Sequence, residues 1–293
     1  MLIKKIEEIK KKYEHNGYNS YELEKDLNFN VDVKITINLY CEGNLNCEGN
    51  LICEGNLICK GYLNCEGYLI CKGNLICEGN LYCEGDLNCE GDLNCEGNLY
   101  CEGNLYCKGD LICKGNLICE GDLNCEGDLY CKGYLNCEGD LNCEGYLYCE
   151  GNLYCEGDLN CKGYLICEGN LICEGNLICK GYLNCEGYLI CKGNLICEGN
   201  LYCKGDLNCE GDLNCEGDLN CKGDLKIKHI VTKKYIRIFG NIPYRIIIFD
   251  NHIQIGCQLR TKKEWSKITK KEARRMGEKK LIIYKMREAL LKL

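Results

Sequence analysis

One six-residue unit, Leu-x-Cys-[Glu/Lys]-Gly-[Asn/Asp/Tyr], runs from Leu39 to Leu225 without an insertion or a deletion. Cys41 to Cys221 in steps of six are 31 cysteines, and Gly43 to Gly223 are 31 glycines in the same register. Leu, Cys and Gly fall on alternate positions, so a strand places them on one side and the variable residues on the other. A helix needs apolar residues at 3.6-residue spacing, and a Gly in every sixth place weakens it by about 1 kcal/mol each time. The unit is also too short for a strand plus a hairpin turn. It is therefore expected to form one side of a coil that bends at each Gly-[Asn/Asp/Tyr] corner and stacks on itself through parallel strands.

Glycine permits the bend and a close approach of the backbone to the core, and Asn and Asp tolerate turn conformations. Tyr at the corner has no local explanation. Three hexads per turn give a triangular section and 18 residues per coil, so the repeat makes about ten coils at about 4.8 Å each. The expected fold is all-β: a three-sided parallel β-solenoid of about ten coils, with an N-terminal helix and a small C-terminal α+β domain. Leu stacks on Leu and Cys on Cys inside it, each buried Leu contributing on the order of 2 kcal/mol against the ordering entropy.

Three segments follow: 1–38 as N-terminal helix and capping strand, 39–225 as solenoid, 226–293 as a basic C-terminal domain. Residues 2–13 carry Leu2, Ile3, Ile6, Ile9 and Tyr13 on one side of a short amphipathic helix, which Asn16-Gly17 stops. Residues 28–38 alternate apolar and polar and lead into the first coil. Beyond Leu225, strands are expected at 227–231, 235–239, 245–249 and 253–257, then a helix capped by Thr269 and ending at Gly277, and a second helix over 278–293.

Charge divides the chain in the same way. Residues 1–38 carry 7 basic and 7 acidic side chains; residues 39–225 carry 10 Lys against 21 Glu and 11 Asp; residues 226–293 carry 19 Lys and Arg against 5 acids. An acidic rod with a basic end speaks to partners rather than to fold. The first residues are charged rather than signal-like, no apolar run reaches membrane-spanning length, and 32 cysteines without a secretory context point to free thiols in a reducing compartment. The expected location is cytoplasmic, with no membrane partner.

The variable positions behave as drifting surface on a fixed core. Residues 47–97 recur at 167–217 with a single difference, Glu84 against Lys204. The offset of 120 residues is not a whole number of 18-residue coils, so the copied surface falls on another face. No outer row is expected to be steadily apolar, positions 52, 70, 88, 106 and 124 reading Ile, Ile, Asn, Tyr, Asn, and no face-specific site is expected. Shape or length is the expected object of selection.

Candidate chemistry is weighed against plainer roles. Stacked thiols are soft-metal ligands for Cu(I) or Zn in principle, but Cys-x5-Cys is not the spacing of zinc sites, and buried free Cys acts as a small hydrophobe. A disulfide ladder needs a torsion that parallel Cβ vectors disfavour. The expectation is core filler, with no metal, no cofactor and no catalytic residue. His229 and His252 lie without a nucleophile or carboxylate pattern beside them. The basic residues Lys262, Lys263, Lys270, Lys271, Arg274, Arg275, Lys279 and Lys280 are candidates for contact with nucleic acid or an acidic protein; a solvated surface, or docking onto the acidic rod, is the alternative. An acidic rod imitating DNA is a further alternative, against which stands the free exchange of Glu for Lys.

Leu45-Asn46-Cys47-Glu48-Gly49-Asn50 resembles the repeat of the left-handed β-helix acyltransferases at Leu45 and at Gly49. The second position departs from that family, and residues 39–225 contain neither the His nor the interrupting loop with which those enzymes work. Gly85-Asp86-Leu87-Asn88-Cys89-Glu90-Gly91-Asp92-Leu93 is similar in texture to the bactofilins, the polymer-forming cytoskeletal solenoids, and the likeness covers 39–225. That resemblance implies a right-handed solenoid and polymerisation through the ends without nucleotide. His252-Ile-Gln-Ile-Gly-Cys-Gln258 with Glu264-Trp265 resembles a short C-terminal unit on repeat proteins of phage and related mobile elements. The leading expectation is a non-catalytic structural or scaffolding solenoid, open to self-association as a homo-oligomer or polymer.

Overall fold

A computed structural model of the chain describes residues 12–15, 18–23, 26–223, 225–232, 236–238, 246–248, 252–255 and 258–269. The chain divides into two compact units, residues 1–162 and 163–293. Both are parallel β-solenoids.

In the first unit each hexad contributes one three-residue strand and one corner, and every strand pairs in register with the strand 18 residues on. Three rows of strands result. Face 1 runs from Tyr18–Leu23 and Asn38–Cys41 through Leu57–Cys59 to Leu147–Cys149. Face 2 runs from Leu27–Phe29 to Leu153–Cys155. Face 3 runs from Val33–Ile35 to Leu159–Cys161. The corner after each face is the edge of the same number. Leu aligns with Leu and Cys with Cys, and from Leu39 to Cys221 every hexad Leu and Cys is at most 2% exposed.

Stacking begins earlier than the repeat. Leu27-x-Phe29 and Val33-x-Ile35 occupy the places of Leu-x-Cys, and the solenoid has about 11 coils rather than about ten. Lys12 and Tyr13 do not close a helix: Lys12–His15 pairs antiparallel with Tyr18–Leu23, which joins face 1 with Ser20 opposite Asn38. Backbone pairing to an open sheet edge overrides the local helical pattern there. The rest of the expected helix, residues 2–11, lies outside the described residues.

The corner explains both of its favoured residue types. A Cβ built on Gly103 would lie 2.6 Å from the carbonyl carbon of Gly85 and 2.7 Å from the amide of Asp86, one coil back. No side chain fits between coils at that point. Val31 and Ile37 hold the same place in the turn before the repeat begins. Asn and Asp at the sixth position do more than tolerate a turn. The Asp86 carboxylate accepts the backbone N–H of Asn104 at 2.8 Å, and the Asn104 side chain accepts that of Asp122 at 2.8 Å, so a corner with Asn or Asp is tied to the next coil. A tyrosine offers no such acceptor; Tyr62 and Tyr134 turn their rings to solvent, each 59% exposed.

In the second unit three rows of strands again pair at an 18-residue spacing, starting from Leu165, Leu171 and Leu177. The last coil loses one residue: Leu207 pairs with Leu225, but Leu213 pairs with Ile230 and Leu219 with Ile236. Ile227 takes the place of Cys. The row from Leu165 then continues as an antiparallel meander, Ile236–Ile238, Ile246–Ile248, His252–Ile255 and Gln258–Thr261. The helix Lys262–Ser266 lies against its last two strands, with Trp265 buried. Its N-cap is Thr261, whose hydroxyl accepts the Glu264 amide while the Glu264 carboxylate accepts the Thr261 amide. The helices expected beyond Thr269 lie outside the described residues. Among the described residues no helix is long and apolar enough to cross a membrane.

If coil spacing depends on a bare corner, Gly103→Ala should destabilise the chain by about 1–3 kcal/mol, the usual cost of overpacking. Urea unfolding followed by far-ultraviolet circular dichroism measures it; a midpoint unchanged from the parent would refute the tight-corner account.

Candidate functional site

The interior is filled by columns of leucine and thiol. Cys101 is representative: its Sγ lies 3.3 Å from the Gly103 carbonyl oxygen and 3.6 Å from those of Gly85 and Asn104. The S–H is a weak donor aimed at a cluster of corner carbonyls, which valine or alanine would leave facing carbon. All 31 repeat cysteines are buried thiols. Hydrogen bonding to Cys53 and Cys89 in the same column, together with burial, pushes the Cys71 thiol far above its ordinary value. Cys137, in contact with the Cys119 thiol, is pushed up to about 12. Other thiols in the columns move the opposite way, Cys89 and Cys113 being held down at about 4 by hydrogen bonds from neighbouring thiols, so it is burial that keeps the columns out of reach of reagents. Among the described residues no group of three His, Cys, Asp or Glu side chains is placed to hold a metal ion.

The outer surface is sorted by the 18-residue coil in a way that the six-residue period conceals. The second hexad position on face 1 reads Tyr40, Ile58, Ile76, Asn94, Ile112, Tyr130 and Tyr148 through the first unit, all partly exposed. Six of these seven are apolar or aromatic. The Tyr130 and Tyr148 rings stack at 5.0 Å, 4° from parallel, and the Lys60 ammonium lies 5.2 Å from the centre of the Tyr40 ring. Face 3 is the row with Ile52, Ile70, Asn88, Tyr106 and Asn124, and it continues as Asn142 and Asn160, whose amides form a hydrogen-bonded ladder from Asn124. The expectation that no outer row is steadily apolar therefore fails on face 1: the mixed row at positions 52 to 124 is one of three, and a period of six does not separate them.

Charge is sorted too. Every fourth-position residue on edge 2 from Glu48 to Glu156 is glutamate, seven in all, and Asp86, Asp122, Asp140 and Asp158 share that edge. The lysines of the first-unit repeat stand only on edges 1 and 3. There Lys60 pairs with Glu42 at 3.1 Å, Lys114 with Glu96, Lys72 with Glu54 at 4.0 Å, and Lys162 with Glu144. Such exposed pairs add little stability, but they leave edge 1 nearly neutral and offset part of the charge on edge 3, which also carries Asp92, Asp110 and Asp128. Edge 2, opposite face 1, is a line of carboxylates at about 4.8 Å spacing. Tyr82 and Tyr100 donate their hydroxyls to Glu102 and Glu120 on it, and the Glu120 carboxylate pushes Tyr100 up to about 12.

The single departure in the internal duplication is consistent with this sorting. Glu84 stands on edge 2 of the first unit, whereas its copy Lys204 in the second unit pairs with Glu186 one coil back at 3.1 Å. Reading positions modulo 18 instead of modulo six reveals the apolar row and the acidic edge from sequence alone.

The basic candidates are only partly placed. Lys262 and Lys263 lie in the helix Lys262–Ser266, with Lys263 exposed. Lys270, Lys271, Arg274, Arg275, Lys279 and Lys280 lie outside the described residues. His229 stands opposite Asp212, and His252 opposite Thr261. Comparison with protein-family models, with curated proteins and with solved structures finds no match to this chain.

Proposed function

We propose that this chain is a non-catalytic structural scaffold that self-associates. The observation that carries the reading is the match between what is constant in the repeat and what is needed to stack it. Leu and Cys fill the interior, Gly admits the neighbouring coil, and Asn or Asp ties corner to corner. Packing accounts for every fixed position, so constancy is spent on the frame. Hexads can also be added in blocks without altering any of those contacts, as the recurrence of residues 47–97 at 167–217 illustrates. The likeness of residues 85–93 to bactofilin repeats supports the same reading. Negative-stain imaging at rising protein concentration should show assemblies larger than one chain; single-chain particles at every concentration would end it.

A second reading is favoured by edge 2. An unbroken line of glutamates, reinforced by aspartates, offers a basic partner the charge pattern of a nucleic-acid backbone. On this reading an oligolysine peptide binds the chain, and binding weakens steeply as salt rises from about 50 to about 200 mM. Replacing Glu102 and Glu120 together by Lys should reduce it markedly. Binding indifferent to salt, or to those two substitutions, would remove the reading.

A further inference from the structure

We infer that the chain pairs side to side with a second copy of itself through face 1 of residues 38–149. The inference rests on the scaffold reading and adds the surface and the geometry. Three observations point to this face. Its central row is Tyr and Ile at six of seven rungs, whereas face 3 carries an asparagine ladder and face 2 has Asn46, Asn64 and Asn136 among its outer residues. Its two borders, edges 1 and 3, are where Lys and Glu interleave and pair, and although Asp92, Asp110 and Asp128 leave edge 3 acidic, both borders carry far less net charge than edge 2, which has no lysine. The uncompensated acidic edge lies on the opposite side of the triangle.

Like charge decides between the alternatives. Two copies meeting across faces 2 or 3 would bring at least one carboxylate line to the interface, at a cost that grows with each rung. Meeting across face 1 sends both acidic edges outward and lets the mixed rims face each other, where a lysine of one copy can reach a glutamate of the other. A two-fold arrangement satisfies this with one self-complementary patch.

Size sets the strength. Seven strands at about 4.8 Å span roughly 29 Å, and the face is about 17 Å wide, which gives close to 500 Å² on each copy. The pair then buries about 1,000 Å², at the lower limit of a specific interface, so association in the micromolar range is expected. Because apolar contact drives it and repulsion between acidic chains opposes it, added salt should strengthen pairing.

Sedimentation equilibrium of the full chain from about 1 to 100 µM tests this, the expected result being a rise from 33.3 kDa toward twice that mass. Ile76→Glu, on face 1, should raise the dissociation constant about tenfold or more. Ile70→Glu, the same change one hexad earlier on face 3, should leave it within about twofold, and circular dichroism verifies that both variants keep the parent fold. Equal weakening by both substitutions, or loss of pairing at about 1 M salt, would overturn the inference. Should the parent assemble and Ile76→Glu assemble equally well, face 1 is excluded while self-association stands; a parent that stays at 33.3 kDa throughout contradicts both.

Discussion

The structure depends on one close approach: the backbone of each corner against the corner of the preceding coil. Parallel strands fix a rise of about 4.8 Å per coil, and at the corner that rise leaves no room for a side chain. Glycine at the fifth position is therefore required by the stacking itself, independently of any turn type. Once the corner closes, the rest is forced. Strands 18 residues apart fall into register, like residues align, and the interior becomes uniform columns of leucine and thiol. Cysteine suits its column because it is small and because its S–H can meet corner carbonyls that hydrocarbon would leave unsatisfied. Where no repeat precedes or follows, at Phe29, Ile35 and Ile227, larger hydrophobes take its place.

Stacking also converts a sequence period into a surface pattern. Each outer position is repeated on three different sides, so variation that looks random along the chain is ordered in space. In the first unit this produces a semi-apolar face between two edges where lysine offsets part of the acid, and an edge without lysine opposite. A uniform interior with an anisotropic exterior is what a scaffold needs in order to pair in one direction and remain separate in others. The same anisotropy underlies the alternative in which the acidic edge receives a basic partner.

Much of this was legible in the sequence, for physical reasons. Alternation of Leu, Cys and Gly identifies strands with one buried side, and the absence of any insertion identifies stacking. Both are local signals repeated often enough to be unambiguous. Less legible were the ends. Residues 27–38 follow the hexad pattern only in apolarity, since Val31 and Ile37 replace glycine, and the coil they form was read as a lead-in strand. Lys12 and Tyr13 were expected in a helix because their side-chain spacing suits one, but pairing with Tyr18–Leu23 supplies backbone hydrogen bonds that spacing does not register. The helix Lys262–Ser266 falls in a stretch where no element is expected from the sequence, although Thr261 and Glu264 form a capping box, because five residues are too few to show an apolar period. The functional surfaces were hidden for a different reason: a period of six does not distinguish the three sides, and only the coil of 18 separates Glu48 to Glu156 from the lysine-bearing edges.

The central claim is that the hexad is one side of a stacked triangular coil whose thiols all face inward. Thiol titration with a disulfide reagent tests it most directly. In native buffer the 31 repeat cysteines should stay unreacted over hours, and all 32 cysteines of the chain should react promptly once denaturant is added. Rapid reaction of a large fraction of them in the folded protein would contradict the account.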